Sequence, residues 1–200
     1  MPDYDRRRDA LLAAAAHVFA ARGYHRTSMR DLARASRMSL AGMYYYVSGK
    51  EDLLFEIQRG SFERVRRGAE EAVAAAATPE ARLAAFIRHH VQFFASHMAE
   101  MKVLSHEAES LTGERLEEVR ALKKAYVELC MGLLAALDAH DGGPSAGHRP
   151  NRHVAAYTLF GMINWIYTWY DPQGVVGVEE LADTICRLFL TGYAAEAHVR

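Results

Sequence analysis

Apolar residues recur at helical spacing along almost the whole chain of 200 residues. Leu11, Ala15 and Val18 mark one face of a first helix, and the same period returns in most later segments. No stretch alternates apolar and polar residues over the length of a strand, and no internal repeat interrupts the pattern. The sequence therefore predicts an all-α fold of about nine helices.

Capping residues divide the N-terminal part of this pattern into separate helices. Gly23 is placed to end the first helix. Ser28 and Ser39 are placed to cap two short helices, the second of which runs to about Tyr46. Asp31 follows Ser28 by three residues, the spacing of a weak capping box. The sequence thus predicts two short, consecutive helices after the first one.

The rest of the chain continues as longer helices separated by turn signals. Lys50 opens a long helix, and Thr78-Pro79 is a strong signal for a restart, with Thr78 as cap. The later predicted elements are a helix through Phe86 to His97, a shorter one over Met98 to Ser110, a break at Thr112-Gly113, a helix from Leu116 to Leu137, a loop over residues 141–150, a buried helix from His153 to Tyr170, a stop at Asp171 to Gly174, and a last helix from Val178 to about His198.

Charge is distributed unevenly along the chain. The whole chain has a net charge of -1, which taken alone argues against a nucleic-acid partner. Residues 1–50, however, contain nine basic and four acidic side chains, and the other 150 residues contain 15 basic and 21 acidic ones. A compact basic segment attracts phosphates whatever the net charge of the chain. On charge alone, a basic surface without a partner is an equal alternative.

The composition disfavours several classes of protein. The two cysteines, Cys130 and Cys186, are too few for a disulfide framework and favour a reducing cytoplasm. No uncharged apolar run approaches the roughly 20 residues that span a bilayer, and the N-terminus lacks a clear signal-peptide cleavage site. The sequence also has no nucleophile elbow, no phosphate-binding glycine loop and no HExxH motif. We therefore expect a cytoplasmic protein that is not an enzyme and has no membrane partner.

The ten histidines raise the alternative of a metal site. The densest group consists of His89, His90 and His97, with His106 and Glu107 nearby. His90 and His97 lie seven residues apart and so share a helix face, but the close ligand spacing typical of metal sites is missing. We interpret these histidines as surface and pocket residues, and predict neither a metal nor another cofactor.

The two short helices between about Thr27 and Tyr46 form a helix-turn-helix pattern within the basic segment. Leu32, Ala33, Met38 and Met43 are placed to form its small core. The second helix is about 10 Å long and would fit the major groove of DNA. Its first turn presents Ser39 to Gly42, and three consecutive tyrosines follow. The tyrosine hydroxyls suit phosphate oxygens, although packing is the alternative for these rings.

Residues 23–33 (GYHRTSMRDLA) and 38–51 (MSLAGMYYYVSGKE) resemble the DNA-binding region of TetR-family repressors. The resemblance implies a homodimeric, ligand-responsive transcriptional regulator with a DNA-binding domain over 1–50 and a ligand-binding and dimerisation domain over 51–200. It also implies the DNA-contact candidates Ser28, Arg30, Ser39, Leu40, Ala41, Tyr44, Tyr45, Tyr46 and Lys50. Leu40 and Ala41 are apolar where many family members have a polar base reader, which favours thymine methyl contacts and shape readout.

The remaining 150 residues, in which acidic side chains outnumber basic ones, are enough for a helical bundle with its own cavity. A mainly apolar ligand fixed by a few hydrogen bonds would suit its large side chains, although each of them could simply be core. The candidates for the pocket lining are Phe86, His90, Phe93, Phe94, His97, Met101, Leu104, Tyr126, Cys130, Phe160, Asn164, Trp165 and Trp169. Asn164 stands out because an amide within an apolar run needs a hydrogen-bond partner, from the protein or from a ligand.

Residues 160–174 resemble a segment of TetR-family regulators of fatty-acid and other acyl-CoA catabolism. This resemblance implies an acyl-CoA or related effector, whose phosphates would need basic side chains. Arg64, Arg67, Arg120 and Lys123 are candidates, or else solvated surface charges. The alternatives are a repressor of an efflux or detoxification gene that responds to a drug-like compound, and a helical interaction protein that does not bind DNA.

The predicted mechanism is a shift between two conformers of a dimer. The helix from His153 to Tyr170 and the last helix would form a four-helix interface with a second copy. Two recognition helices would then bind successive major grooves of double-stranded operator DNA. An effector would favour a conformer in which the long helix from Lys50 swings and moves the DNA-binding heads out of register.

Overall fold

The computed structural model describes residues 2–107, 109–140 and 151–195, which form nine α-helices, one 3-10 helix and no strand. The helices are α1 (Pro2–Arg22), α2 (Met29–Ser36), α3 (Leu40–Tyr44), α4 (Lys50–Ala74), α5 (Pro79–Ser96), α6 (Met98–His106), α7 (Gly113–His140), α8 (Arg152–Asn164), the 3-10 helix (Trp165–Thr168) and α9 (Val178–Ala195). The prediction of an all-α fold is confirmed. Within this part of the chain, no helix combines the length and the apolar character needed to cross a membrane.

Most predicted helix starts are correct because their capping chemistry is local. The long helix begins at Lys50, and α5 begins at Pro79. The Thr78 hydroxyl accepts a hydrogen bond from the backbone N–H of Ala81 at 3.1 Å, so Thr78 is the predicted cap. The predicted loop at residues 141–150 and the predicted end of the last helix at His198 lie outside the described residues.

Three helices end earlier than predicted. Helix α3 stops at Tyr44 and α6 stops at His106. The predicted helix from His153 to Tyr170 is wrong in its last third, since α8 ends at Asn164 and the chain tightens into the 3-10 helix. There the Thr168 hydroxyl donates to the Trp165 carbonyl at 2.7 Å, a local bond that competes with continued α-helix. Periodicity alone does not detect this change.

The chain divides into two compact units. The first unit comprises the described residues within Met1–Glu63 and His97–Leu122, and the second comprises those within Arg64–Ser96 and Lys123–Arg200. Helix α6 therefore belongs with the helix-turn-helix segment and packs against α1. The functional division of the chain at residue 50 stays a prediction.

The predicted helix-turn-helix core is present in the first unit. Leu32, Ala33 and Met43 are buried, and Met38 is half-buried against them. Phe19 of α1 is also part of this core. These contacts fix α2 and α3 against α1, and so fix the side chains that face outward.

Helix α5 is central to the second unit and contacts α9, α8 and the 3-10 helix. Its buried residues include Leu83 and Ile87. Two free cysteines lie in the same unit, and burial raises the pKa of Cys130 to about 12 and that of Cys186 to about 11. Both side chains are therefore neutral thiols at ordinary pH.

The His89 ring packs directly on the backbone of α4 at Gly68. A Cβ atom added at Gly68 would lie 2.3 Å from Cε1 of His89 and 2.7 Å from its Nε2. His89 Nε2 lies 3.1 Å from the carbonyl oxygen of Val65, so this nitrogen carries the hydrogen and donates. Desolvation lowers the pKa of His89, which favours the neutral ring. The close contact requires a residue without a side chain at position 68.

We expect Gly68→Ala to destabilise the second unit by about 1–3 kcal/mol, because the added methyl group must displace the His89 ring and disturb its hydrogen bond. Gly132→Ala on α7 is the matched control, since a Cβ there meets none of the described atoms within 4 Å. It should stabilise the protein by about 0.5–1 kcal/mol through helix propensity. Urea unfolding followed by circular dichroism measures both. Equal effects of the two substitutions would contradict the packing described for His89.

Candidate DNA interface and effector site

The first short helix, α2, is fixed by a complete capping box. The Asp31 N–H donates to Ser28 Oγ at 3.2 Å, and the Ser28 N–H donates to Asp31 Oδ2 at 3.0 Å. The hydrogen bonds from the Ser28 hydroxyl and N–H lower the pKa of Asp31. Sequence spacing gave only a weak indication of this box, yet both of its bonds are present.

The second short helix, α3, follows after a tight turn. Arg37 adopts the left-handed conformation with a φ of 56° and forms the C-cap that ends α2. Ser39 then caps α3 by accepting the Gly42 N–H at 3.0 Å, as predicted. The hydroxyl of Ser39 is thus engaged in capping, and its place as a DNA contact stays a prediction.

All nine DNA-contact candidates belong to the first unit. Seven of them are exposed, namely Ser28, Arg30, Ser39, Leu40, Ala41, Tyr44 and Tyr45. Tyr44 is 51% exposed and Tyr45 is 72% exposed. These side chains are available for contacts with a large partner, and they combine hydroxyl donors, a guanidinium group and small apolar groups.

Tyr46 is less exposed than Tyr44 and Tyr45, and its place as a DNA contact stays a prediction. It is half-buried and packs against the core of the first unit. Its ring also lies 4.8 Å from the ring of Tyr4 on α1, which contacts Tyr45 at 5.8 Å. Tyr4 is therefore an aromatic neighbour of this face that the sequence analysis missed, because its partners are about 40 residues away in the chain.

Lys50, the first residue of α4, points to the turn between α1 and α2. Its Nζ donates to the Tyr24 carbonyl at 3.0 Å and lies 4.2 Å from the centre of the Tyr24 ring. These two contacts hold the ammonium group at the helix N-terminus. An ammonium group has three donors, so the hydrogen bond to Tyr24 leaves two for other acceptors.

The second unit contains a buried histidine between two polar partners. His90 is 1% exposed; its Nδ1 lies 3.0 Å from the Tyr126 hydroxyl and its Nε2 lies 3.0 Å from Oδ1 of Asn164. Asn164 Oδ1 can only accept, so Nε2 carries the hydrogen of the neutral ring. Nδ1 then accepts from the Tyr126 O–H. Asn164 thus has the protein partner that its position in an apolar run requires.

Burial keeps this network neutral. Desolvation lowers the pKa of His90 to about 3, against a smaller upward effect of the hydrogen bond to Asn164. Desolvation also raises the pKa of Tyr126 well above its usual value. The imidazole and the phenol are therefore both uncharged at neutral pH, as the donor and acceptor assignment requires.

Aromatic rings surround the network. Phe94 stacks on His90 with ring centres 4.0 Å apart, and Phe86 lies 5.1 Å from Tyr126. Phe160 of α8 contacts the rings of His90 and Tyr126 at 5.9 and 5.8 Å. We call Phe86, His90, Phe94, Tyr126, Phe160 and Asn164 the His90 cluster. These are the sequence-predicted pocket residues that the structure brings together.

The other predicted pocket residues are not members of this cluster. Trp165 and Trp169 are 59% and 60% exposed on the 3-10 helix and its turn after α8, and their place in a ligand pocket stays a prediction. His97, Met101 and Leu104 belong to the first unit. Phe93 contacts the ring of His89, and Cys130 is buried one helical turn from Tyr126.

No group of three histidine, cysteine or acidic side chains that could hold a metal ion occurs among the described residues. Of the histidines considered for a metal, His89 and His90 belong to the second unit. His97, His106 and Glu107 belong to the first. Glu107 binds the backbone N–H of Tyr24 instead, a contact between distant segments that the sequence analysis missed.

Helices α8 and α9 carry an exposed apolar surface. Val154 and Tyr157 on α8 and Leu188 on α9 are all more than half exposed. A surface groove of about 390 Å³ is lined by Val154, Ala155, Thr158, Met162, Leu188, Phe189, Gly192 and Tyr193. Large exposed apolar patches are typical of protein–protein contacts. We call these groove residues together with Tyr157 the α8–α9 surface.

Two family models match most of the chain. Residues 11–57 match the model described as bacterial regulatory proteins, tetR family. Residues 76–193 match the model described as tetracyclin repressor-like, C-terminal domain. The chain is also 30% identical over 193 residues to the HTH-type transcriptional repressor KstR2 of Rhodococcus jostii, which covers 94% of this chain and 92% of that repressor.

Solved structures share the same fold. A TetR-family transcriptional regulator from Bordetella parapertussis aligns with a TM-score of 0.84 at 27% identity, covering 93% of this chain and 95% of that one. AibR in complex with isovaleryl coenzyme A and operator DNA aligns with a TM-score of 0.78 at 31% identity, covering 91% and 97%. Together with the capped helix-turn-helix in the first unit, these matches show that the chain belongs to the TetR family of transcriptional regulators.

Proposed function

We propose that the chain is a repressor that binds a palindromic operator as a homodimer and is released from DNA by an apolar effector, an acyl-CoA of fatty-acid or aromatic catabolism. The observation that carries the effector part is the His90–Asn164 hydrogen bond inside the aromatic His90 cluster. A site that holds one polar pair among aromatic rings suits a ligand with a long apolar part and a single polar group.

The DNA-binding part rests on the exposed residues of α2 and α3. Arg30 and the tyrosines offer donors to phosphates, and Leu40 and Ala41 offer apolar contacts to thymine methyl groups. The basic balance of residues 1–50 favours association with DNA, and the acidic balance of the remaining residues disfavours contacts elsewhere on the chain. Specificity would then come largely from DNA shape and thymine methyl contacts.

The effector part rests on the donors of the His90 cluster. The Asn164 amide nitrogen has no hydrogen-bond partner among the described residues, so it can donate to a thioester carbonyl. His90 Nε2–H offers a second donor if the carbonyl takes the place of Asn164 Oδ1. Because the rings are in contact, an acyl chain must bind a more open conformer, and this differential affinity is what would shift the protein away from DNA.

The similar proteins support both a repressor and this class of effector. AibR is described in complex with isovaleryl coenzyme A and operator DNA, and KstR2 is described as a repressor. For the CoA phosphates, Arg67 and Lys123 are exposed cations of the second unit. Arg120 is the weaker candidate because Glu109 and Glu117 each hold its guanidinium group at 2.9 Å.

The homodimer rests on the α8–α9 surface. Its exposed apolar side chains would be covered by the same surface of a second copy in a two-fold arrangement. Burial of such a patch is worth about 25 cal/mol per Å² of apolar area, which is enough to drive association when several large side chains take part. A two-fold dimer would present two copies of α3 to one face of DNA.

Selection of DNA from a randomised pool tests the DNA-binding part. We expect enrichment of a palindrome whose half-sites lie about one helical turn or a multiple of it apart, and a dissociation constant that rises steeply with salt. Fluorescence anisotropy of the selected duplex at several salt concentrations measures this. A helical interaction protein would give neither enrichment nor salt dependence.

A thermal-shift measurement tests the effector part independently of DNA. Acyl-CoAs should raise the melting temperature of the wild-type protein, because they bind only the folded chain. Asn164→Leu removes the proposed donor without adding bulk, and it should reduce this shift. If the shift were the same in both proteins, the Asn164 amide would not be the group that binds the carbonyl.

Tyr44→Ala should weaken operator binding about 10-fold or more, because the ring and hydroxyl of an exposed recognition-helix residue are lost from both copies in the dimer. Tyr44→Phe separates the two contributions by removing the hydroxyl alone. Fluorescence anisotropy measures the affinity, and light scattering confirms that the oligomeric state is unchanged. If Tyr44→Ala bound the operator with wild-type affinity, Tyr44 would not contribute to the DNA interface.

A further inference from the structure

The segment that follows α6 is bound to the turn between α1 and α2 in the first unit. Glu107 Oε1 accepts the backbone N–H of Tyr24 at 2.9 Å. The carbonyl oxygen of Glu107 accepts Nε2 of Gln58 at 2.9 Å, and Gln58 is only 1% exposed. Glu107 therefore links three segments: the α1–α2 turn, the middle of α4 and the end of α6.

Both oxygens of the Glu107 carboxylate are engaged. Oε2 accepts the Ser110 hydroxyl at 2.8 Å, and the Ser110 oxygen lies 3.3 Å from Nε2 of His25. Because the Ser110 hydrogen is directed to Glu107, His25 Nε2 carries a hydrogen and donates to Ser110. The carboxylate thus has a fixed orientation, with one oxygen directed at the Tyr24 amide.

Tyr24 in turn forms hydrogen bonds with the segments that contain DNA-contact candidates. Its carbonyl accepts both the Lys50 ammonium at 3.0 Å and the Thr27 N–H at 3.1 Å. Thr27 directly precedes Ser28, the cap of α2. The backbone N–H of Tyr24 therefore donates to Glu107, and its C=O accepts hydrogen bonds from Lys50 and from the residue directly before the cap of α2.

Two further contacts attach the following residues to the first turn of α4. Thr112 donates to the Glu51 carboxylate through its hydroxyl at 3.2 Å, and Arg115 pairs with Asp52 at 2.9 Å. Asp52 also accepts the N–H of Ser48, directly before α4. The Glu107 contact is therefore one of several neighbouring hydrogen bonds and ion pairs, and it is not an isolated surface pair.

We propose that Glu107 is a positioning residue for DNA binding, acting through Tyr24 to hold Lys50 and the start of α2 in the geometry that contacts DNA. This inference rests on the proposed function, because Lys50 and Ser28 are DNA-contact candidates only. It adds a determinant that lies outside residues 1–50 and whose own side chain points to protein groups. The contact on which this role depends is the hydrogen bond from the Tyr24 N–H to the Glu107 carboxylate.

Glu107→Ala tests the role, with Glu109→Ala as matched control. Glu109 is an exposed carboxylate of the same segment, paired with Arg120, so its loss changes the charge by the same amount. We expect Glu107→Ala to weaken operator binding about 10-fold, the effect of losing a charge-assisted hydrogen bond, and Glu109→Ala to stay within about 2-fold of wild type. Glu107→Gln keeps an acceptor oxygen and should recover most of the affinity.

A double-substitution cycle with Lys50→Met separates positioning from general loss of stability. If Glu107 acts through the Tyr24–Lys50 contact, the double variant Glu107→Ala/Lys50→Met should bind DNA more tightly than the product of the two single effects requires. The Tyr24 amide should also exchange its hydrogen faster in Glu107→Ala than in Glu109→Ala. Circular dichroism at the assay temperature shows that each variant is folded.

Three results would overturn the proposal. The first is equal DNA affinity of Glu107→Ala and Glu109→Ala, and the second is full multiplication of the two effects in the double variant. The third is a rate of hydrogen exchange at the Tyr24 amide that is the same in Glu107→Ala and Glu109→Ala, a measurement made without DNA. A wild-type protein that binds no DNA in a salt-dependent way would instead overturn the proposed function, and this role with it.

Discussion

Leu188→Asp is expected to leave the chain monomeric and to lower its affinity for operator DNA on the order of 100-fold or more. Leu188 is 62% exposed on α9 and lines the groove of the α8–α9 surface. In a two-fold dimer the same residue occurs twice near the centre of one interface, so the substitution would bury two carboxylates without partners. The free-energy cost of burying these carboxylates is larger than the free energy gained by burying two leucine side chains, which the substitution also removes.

The loss of DNA affinity follows from the loss of the dimer. Each protomer alone would contact a single half-site, and the second half-site would have to bind another protomer from solution. A linked pair gains from its high effective concentration, and this gain disappears in the monomer.

Val175→Asp is the matched control for Leu188→Asp. Val175 is fully exposed in the segment before α9, and it does not line the groove. The same chemical change there should leave both the dimer and DNA binding intact. Light scattering and fluorescence anisotropy measure the two properties on the same samples. A dimeric Leu188→Asp protein would place the dimer interface on another surface.

The second large effect concerns stability at acid pH. The unfolded chain binds a proton on His90 near its usual pKa of 6.5, whereas the folded chain binds it only near a pKa of about 3. Between these values the unfolded state holds more protons, so the free energy of unfolding falls as the pH is lowered from about 6.5 to about 3. The slope contributed by this one buried side chain approaches about 1.4 kcal/mol per pH unit.

His90→Gln isolates this contribution. Glutamine can still form hydrogen bonds within the His90 cluster, but it does not titrate. We therefore expect the melting temperature of His90→Gln to fall less steeply than that of wild type between pH 6.5 and pH 4, whatever its value at neutral pH.

Two points make this comparison specific. Desolvation also lowers the pKa of His89, so the wild-type slope has more than one source and only the difference between the two proteins is assigned to His90. His17→Gln, which removes an exposed imidazole from α1, controls for the loss of a histidine as such. Parallel curves for wild type and His90→Gln would mean that His90 is protonated in the folded protein, contrary to its burial.

Local signals made much of the fold predictable from the sequence. Ser28, Ser39 and Thr78 each cap the helix predicted for them, because a capping hydroxyl reaches a backbone N–H only two or three residues away. The end of α8 was not predictable by periodicity, because residues 165–170 remain apolar or aromatic apart from Thr168 while the backbone tightens. Helical spacing reports burial, and it does not distinguish an α-helical turn from a 3-10 turn.

The candidate sites were predictable in type more than in arrangement. The sequence required a partner for Asn164, and that partner is His90, 74 residues away. Tyr126 completes the network from a third helix, and no local pattern relates these three positions. The attachment of Glu107 to Tyr24 was missed for the same reason, since its two groups are 83 residues apart. Such contacts depend on the packing of whole helices.

A titration of acyl-CoAs into the protein bound to its selected operator tests the proposed function as a whole. Fluorescence anisotropy follows the DNA, with short-chain, long-chain and aryl acyl-CoAs compared with free CoA and with drug-like apolar compounds. We predict that at least one acyl-CoA releases the DNA, that free CoA does not, and that Asn164→Leu requires a higher concentration of acyl-CoA for release. An operator complex that no acyl-CoA dissociates, or that only the drug-like compounds dissociate, would contradict this prediction.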